Sequence, residues 1–408
     1  MKLISYILLI ILSIHISGQD NYIDSLNNEY NIQANKEVKF NLVLKITEFY
    51  LSNNPDTAQS ILLTQEKILN KITNTQDLAK YNFLMGECFF NQNEYKEAIP
   101  YYEKSKELYN ELNDEENVAE NLHNIGLSNF YTGQYEQALF HYHEVLIIAE
   151  KNYFKERIAN AYQNLGLVYN EIKTYSKAQQ YFEKAIAINK EIQNEEKIAA
   201  LYQNIGVIHH NKEKFDTALV YYTKSLEIYK KLEHKLGIAS SYLNIGLIYE
   251  TMKDNRAIDN YHNAKIIFEE INHARGVIYT LNSLCSYSKA KGYYIEAIDY
   301  LEQSISMGKK YHLTETLVEA YREASDVYSL INKHKEALMY YKKLTHLNDS
   351  LYNENNIRQI LELEMKYQSE KFENKLKQEK IKNRIYIGGF ILILIFFILY
   401  IVLFIKKK

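Results

Sequence analysis

The apolar and polar residues of the chain follow an order that repeats at a fixed distance. Between Tyr162 and Ile188, apolar and small residues recur three or four positions apart, which is the spacing of one face of an α-helix. A polar break near Lys173 divides this stretch in two, and the same order precedes and follows it. The pattern predicts pairs of helices that repeat every 40 residues, as five glycines mark: Gly86, Gly126, Gly166, Gly206 and Gly246.

Small residues recur at a second position of each repeat. A glycine within a helix costs about 1 kcal/mol relative to alanine, so its recurrence requires a close contact that leaves no room for a Cβ atom. Alanine follows twelve residues after the glycine, and an aromatic residue follows four residues later. We therefore expect the two helices of a repeat to cross at these small residues, with Gly86, Gly126, Gly166, Gly206 and Gly246 on the first helix and Ala98, Ala138, Ala178 and Ala218 on the second.

A period of this length is typical of a solenoid, because one helix pair cannot bury its own apolar face. The frame continues with Cys285 and Ser325 in the place of the glycine, after a deletion near Asp254, and it runs back in weaker form to Ile46. The sequence therefore predicts an all-α solenoid of about seven to eight helix-turn-helix repeats over residues 36–350.

The residues of the repeat resemble a known family. The order Tyr162, Leu165-Gly166, Tyr169, Tyr175, Ala178, Phe182 and Ala185 is similar to the tetratricopeptide repeat, in the longer form found in adaptor proteins and bacterial peptide-pheromone receptors. The resemblance covers most of the chain. It implies a right-handed superhelix whose concave groove binds a peptide or a protein.

A row of asparagines stands out on the predicted first helices. At about 100° per residue, the position two before the glycine and the position one after it point away from the packed positions. Because an amide both donates and accepts hydrogen bonds, such a row is suited to hold the backbone of an extended peptide, and the resemblance implies a groove lined by similar asparagines. The alternative is that each asparagine bonds to the neighbouring repeat and fixes the pitch. The predicted groove residues are Asn124, Asn164, Asn204, Asn244, Leu127, Leu167, Val207 and Leu247.

The two ends of the chain have a different composition. Residues 1–18 combine one positive charge, an apolar run and Gly18, which predicts a secretory signal peptide, with an uncleaved anchor as the alternative, and 19–35 form a polar N-terminal segment. Residues 351–384 predict a juxtamembrane helical spacer with a broken heptad, which is either a weak coiled-coil contact of a homodimer or a solvated spacer or cap on the last repeat. The 21 uncharged residues 385–405 predict a transmembrane helix, followed by the basic tail 406–408.

These end segments predict a protein of the inner (cell) membrane with a single span. The signal peptide places the repeats on the periplasmic, extracytoplasmic side. The basic residues before the span, six against three after it, favour the opposite orientation by the positive-inside rule, as in a cytoplasmic tail-anchored adaptor. We follow the signal peptide, because a long translocated domain largely overrides local charge.

Composition and motifs exclude several functions. The net charge is −3 and the basic residues are interleaved with acidic ones, so no nucleic-acid partner is expected. No catalytic motif, metal-binding spacing or cofactor motif is present, and we expect neither an enzyme nor a metal or cofactor site. Cys88 and Cys285 lie in distant repeats and are not expected to form a disulfide.

The sequence thus predicts a membrane-anchored interaction module that binds a protein or peptide, as a scaffold or as the sensing half of a signalling system. The segment 361–371 also resembles the linker between tetratricopeptide repeats and a membrane span in bacterial sensor proteins, which continue into a histidine kinase or a helix-turn-helix regulator. The alternatives are therefore a truncated sensor kinase or regulator that lacks its output domain, and a tail-anchored adaptor.

Overall fold

The structure is a computed structural model that describes residues 22–51 and 54–347, together with positions 377 and 380–382. Its regular secondary structure over these residues is entirely helical, with no strand among them. The chain divides into two compact units, Met1–Tyr221 (unit 1) and Tyr222–Lys408 (unit 2).

The helices form a regular series of pairs. Unit 1 begins with α1, residues 22–32, and a short 3-10 helix, Glu66–Lys71, follows α3. The first helices of the pairs are α2 (Lys36–Leu51), α4 (Thr75–Asn91), α6 (Glu115–Tyr131), α8 (Lys155–Glu171), α10 (Glu195–Asn211), α12 (Lys235–Thr251), α14 (Ala274–Ala290) and α16 (Thr314–Leu330). The second helices are α3 (Pro55–Leu63), α5 (Tyr95–Glu111), α7 (Tyr135–Lys151), α9 (Tyr175–Glu191), α11 (Phe215–Lys231), α13 (Arg256–Glu270), α15 (Tyr294–Lys310) and α17 (His334–Leu347).

The helical repeat solenoid agrees with the 40-residue period, whereas the predicted transmembrane helix is wrong. Among the described residues, no helix is long and apolar enough to cross a membrane. A span needs about 20 mostly apolar residues, and the longest described helices have 17 residues. The predicted single-pass location in the inner membrane, with periplasmic repeats, depended on that span and is corrected with it. The described fold is an all-α helical repeat solenoid.

Several predicted segments at the ends lie outside the described residues. They are the signal peptide 1–18, the span 385–405, the tail 406–408 and the spacer 351–384 with its proposed dimer contact, apart from positions 377 and 380–382. Within the predicted polar segment 19–35, residues 22–32 form α1, whose Ile23 and Leu26 pack against Leu42 and Ile46 of α2. The degenerate first repeat is therefore extended by one helix.

The crossing glycines face aromatic rings. A Cβ atom built on Gly86 would lie 2.6 Å from Cε1 of Tyr102, and one built on Gly166 would lie 2.5 Å from Cε1 of Phe182. Gly126 and Gly246 meet Tyr142 and Tyr261 in the same way. Each ring lies about one helical turn after the small residue of the second helix. The contact that excludes a side chain at these four glycines is thus with the edge of an aromatic ring.

The small residues at the predicted crossings are all in the interior. Ala98, Ala138, Ala178 and Ala218 have no exposed surface, and Gly206 is buried as well. A side chain larger than alanine at these positions of the second helix would collide with a filled core.

The turns between helices share one backbone conformation. In eleven turns a residue other than glycine has a φ between 52° and 63°, and Gly133 and Gly292 take the same place at 74° and 79°. The helices that follow are often capped by a side chain: Asp114 accepts from the N–H of Asn117, and Asn194 accepts from that of Lys197. This turn fixes the change of direction from helix to helix, which keeps the period constant.

Ion pairs connect the first residue of one helix pair to its last. Glu115 pairs with Lys151, and the signs reverse in the next repeat, where Lys155 pairs with Glu191 at 3.1 Å. These side chains are exposed, so each pair adds little to stability. Because the signs reverse, Lys151 at the end of one helix pair and Lys155 at the start of the next carry the same charge. This repulsion disfavours an ion pair between the ends of different helix pairs.

Candidate functional site: the first-helix face

The first helices of unit 1 lie side by side, with α4 beside α2 and α10 beside α8. Side-chain hydrogen bonds link α6 to α4 and α8 to α6. One surface of these helices carries the predicted groove residues. We call it the first-helix face and define it by the residues three and two before the glycine and one after it: Phe83, Leu84, Glu87, His123, Asn124, Leu127, Gln163, Asn164, Leu167, Gln203, Asn204 and Val207.

Asn124 is bound to the preceding repeat. Its side chain is 9% exposed, and its amide donates to Oε1 of Glu87 at 2.8 Å. The same carboxylate oxygen accepts from the hydroxyl of Tyr102 at 2.7 Å. Burial raises the pKa of Glu87, and the hydrogen bond from Tyr102 acts against that rise. Asn124 therefore holds two repeats together through a carboxylate.

Asn164 makes the same kind of bond one repeat later. It is 6% exposed, and its amide nitrogen lies 3.4 Å from Nδ1 of His123. The ring of His123 also packs near Tyr142, with 6.0 Å between ring centroids. An amide N–H can donate only to an unprotonated imidazole nitrogen, so this contact requires neutral His123.

The other predicted asparagines are more open. Asn204 and Asn244 are half-buried, and within the described residues the structure shows no side-chain hydrogen bond for either. The four asparagines therefore differ: two use their N–H groups inside the chain, as in the alternative of a bond to the neighbouring repeat, and two present their amides to the surface. Asn244 lies on α12, in unit 2.

The predicted apolar row is half-buried throughout. Leu127, Leu167 and Val207 each expose part of their side chains on α6, α8 and α10, and Leu247 does so on α12. Leu127 also packs against the core cluster that contains Tyr142 and Leu165. Leu127 is thus held by the core on one side and partly exposed on the other.

An ion-pair cluster borders the face. Arg157 of α8 donates to Glu120 of α6 and lies 3.9 Å from Glu116. These residues line a pocket of about 410 Å³ between the first turns of the two helices. Lys80 of α4 pairs with Glu48 of α2 at 2.7 Å. Lys80 and Arg157, which border the face, are therefore each paired with an acidic residue.

Unit 2 contains a similar carboxylate arrangement on its own first helices. Glu250 of α12 accepts from the hydroxyl of Tyr261 at 2.5 Å and from that of Ser286 at 3.0 Å. Lys289 of α14 donates to Glu323 of α16 at 2.6 Å. Hydrogen bonds between consecutive first helices therefore occur in both units.

The remaining candidate chemistry is structural. Cys88 and Cys285 are buried, and burial raises the pKa of each thiol to about 12, so neither is a reactive thiolate at neutral pH. In the part of the chain that the structure describes, no group of three His, Cys, Asp or Glu residues is placed to hold a metal ion.

Sequence reasoning missed Glu87, His123 and Arg157. Glu87 had a signal, because it is an acidic residue at the register position that is Leu127, Leu167 and Val207 in the following repeats. His123 and Arg157 had none, since their roles depend on which residue of the neighbouring first helix they meet.

The state of His123 makes the stability of unit 1 depend on pH. Burial lowers the pKa of the imidazole to about 4, and the charges of Arg157 and Lys197 act in the same direction, against Glu120. An unfolded histidine titrates near 6.5, so the unfolded chain binds the proton first. The contribution of His123 is complete above about pH 6.5 and is lost as the pH falls towards 4.

We therefore expect the urea midpoint of the wild type to fall more steeply between pH 6.5 and 4.5 than that of His123→Gln. Glutamine still offers an oxygen to Asn164 but does not titrate. Urea unfolding of both proteins at four pH values checks this, and parallel curves would contradict it.

Comparisons with known proteins agree with the fold. The family model described as tetratricopeptide repeat matches residues 76–151, 117–191 and 197–270. No curated protein matches the chain.

Solved structures of similar fold include the three that follow. The apo form of the quorum sensor NprR from B. thuringiensis has a TM-score of 0.59 at 19% identity, over 82% of this chain and 94% of that one. The apo form of RapI has a TM-score of 0.56 at 17% identity, over 67% and 99%. A Rap protein complexed with competence and sporulation factor has a TM-score of 0.56 at 14% identity, over 83% and 98%. At these identities the likeness concerns the fold.

Proposed function

We propose, from the premise that this chain contains tetratricopeptide repeats, that the first-helix face of unit 1 binds an extended polypeptide segment of a partner. The observation that carries this proposal is the row Leu127, Leu167 and Val207. One half-buried apolar side chain stands at the same register position of three consecutive repeats, with an asparagine three residues before each of them.

The chemistry of this face suits a peptide. An extended peptide offers apolar side chains and backbone N–H and C=O groups at regular intervals. The leucine and valine side chains supply apolar area, worth about 25 cal/mol per Å² buried, and the amide of Asn204 is able to bond to backbone of any sequence. The bonds from Asn124 to Glu87 and from Asn164 to His123 hold neighbouring helices in place before a ligand arrives, which lowers the entropy cost of binding.

A solved structure of similar fold supports the proposal of a polypeptide ligand. The Rap protein with a TM-score of 0.56 is complexed with competence and sporulation factor. We infer that the present chain acts through binding, as a scaffold or as the sensing part of a signalling system, and without catalysis of its own.

The proposal is tested with a phage-displayed library of linear dodecapeptides panned on the full chain. Enriched peptides are synthesised with a fluorescent label, and their Kd values are measured by anisotropy. The variant Leu127→Glu/Leu167→Glu/Val207→Glu places three charges on the face. We expect it to weaken binding at least tenfold, about 1.4 kcal/mol.

The matched control places three charges on exposed apolar residues of the second helices. Phe140, Ile147 and Val220 are 59%, 68% and 51% exposed, and Phe140→Glu/Ile147→Glu/Val220→Glu is expected to bind as the wild type does. Circular dichroism melts verify that both variants are folded. Equal binding by the face variant, or the absence of any enriched peptide, would overturn the proposal.

A further inference from the structure

Glu87 interrupts the apolar row of the first-helix face. Its register position is occupied by Leu127, Leu167 and Val207 in the next three repeats. Glu87 is half-buried on α4. An ionised side chain with restricted access to water is costly unless a charge or several hydrogen bonds compensate it, so the groups around this carboxylate indicate what it is suited to bind.

The chain supplies only neutral donors to Glu87. Tyr102 and Asn124 both donate to Oε1. No basic residue in the described part of the chain forms an ion pair with Glu87; Lys80 is paired with Glu48, and Arg157 with Glu120. The acidic residue Glu120 raises the pKa of Glu87 further. The carboxylate of Glu87 therefore has two neutral hydrogen-bond donors and no opposite charge among the described residues, and its Oε2 accepts no hydrogen bond from them.

Two aromatic residues share one side of α4 with Glu87. Phe83 comes four residues before Glu87 and Phe90 three residues after it, which places all three on one side of α4. Both rings are half-buried, and Phe83 packs 6.0 Å from the ring of Tyr102. A cation is attracted both by a carboxylate and by the face of an aromatic ring, and these three residues offer both.

We propose that Glu87, Phe83 and Phe90 form a subsite for a cationic side chain, lysine or arginine, of the polypeptide that occupies the first-helix face. This inference rests on the function proposed above and adds the charge of the ligand. The cation fills the position opposite Oε2 of Glu87, and its alkyl stem packs on the two rings. The bonds from Tyr102 and Asn124 keep the carboxylate in position, so the subsite exists before the ligand binds.

The test uses pools of acetylated, amidated hexapeptides with one position fixed as arginine, glutamine or glutamate and the other five randomised. Binding of each pool to the immobilised full chain is measured by biolayer interferometry. The proteins are the wild type, Glu87→Gln and the control Glu171→Gln, which removes the same charge from an exposed position of α8. The glutamine at position 87 retains an oxygen that accepts from Tyr102 and Asn124, and thermal melts verify that the fold is kept.

We expect the wild type and Glu171→Gln to bind the arginine pool at least tenfold more tightly than the glutamine pool, and the glutamate pool most weakly. Glu87→Gln is expected to lose this order. An arginine preference that persists in Glu87→Gln, or a wild type that binds the arginine and glutamine pools equally, overturns the subsite and leaves the proposed function intact. A wild type that binds no pool overturns the proposed function together with the subsite.

Discussion

Gly166→Ala is expected to lower the free energy of unfolding of unit 1 by about 2 kcal/mol, although alanine is the better helix former. In an open helix this change stabilises by about 1 kcal/mol. Here the new Cβ atom would lie 2.5 Å from Cε1 of Phe182, a ring that is 1% exposed. Overpacking of a filled core costs about 3 kcal/mol at the upper end of its usual range, which exceeds the helical gain.

Chemical unfolding in urea measures this effect, and the double variant Gly166→Ala/Phe182→Leu tests its cause. Leucine withdraws the ring edge from the glycine, so the penalty of Gly166→Ala should fall towards zero in that background. If Gly166→Ala raised the urea midpoint in the wild-type background, the close contact between the ring and the glycine would not be the reason for the recurring glycines.

The repeat frame was predictable because it depends on the spacing of small and apolar residues along the sequence. The 40-residue interval between Gly126 and Gly166 and the small residue Ala178 require two helices of fixed length joined by turns of fixed length. The helices begin and end accordingly, with Pro55 at the first position of α3 and the side chain of Asn54 as its cap. The residues that begin and end a helix are close to it in the sequence, so a single sequence is enough to predict these ends.

The partners of side chains on the first-helix face could not be predicted in the same way. Turning 100° per residue placed Asn124 and Asn164 on an open stripe, yet both are buried. The rotation of 100° per residue describes one isolated helix. The exposure of Asn124 and Asn164 depends instead on the neighbouring first helix, which supplies Glu87 and His123. Those partners lie 37 and 41 residues earlier, a distance set by how repeats are rotated against each other.

The sequence alone also did not decide which neighbour requires the recurring glycines. The pattern contained both the small residue twelve positions on and the aromatic four positions later, and either is able to require a glycine. The structure shows that the ring is the neighbour at Gly86, Gly126, Gly166 and Gly246. The transmembrane prediction used only the apolar composition of a segment at the end of the chain. No membrane-spanning helix is found among the described helices.

Phe182→Ala should cost more than any other single change considered, about 3–5 kcal/mol. Phe182 is 1% exposed and fills the space over Gly166. Because glycine has no side chain that might move into the vacated volume, the cavity stays open and the neighbouring repeats lose contact through it. The solenoid transmits stability only between adjacent repeats, so unit 1 is expected to lose cooperativity, with a broader urea transition and a lower midpoint.

Phe182→Tyr is the control, because a change at the same position is expected to keep or raise the stability that Phe182→Ala lowers. The corresponding ring of the Gly246 repeat is Tyr261, whose hydroxyl donates to Glu250, four residues after the glycine. Four residues after Gly166 stands Asn170, whose Oδ1 is buried without a hydrogen-bond partner in the described structure. By analogy with Tyr261 and Glu250, we expect a hydroxyl at position 182 to bond to this oxygen, which contributes about 1 kcal/mol. We therefore expect a urea midpoint equal to or above that of the wild type, and a loss comparable to that of Phe182→Ala would contradict the register that relates Asn170 to Glu250.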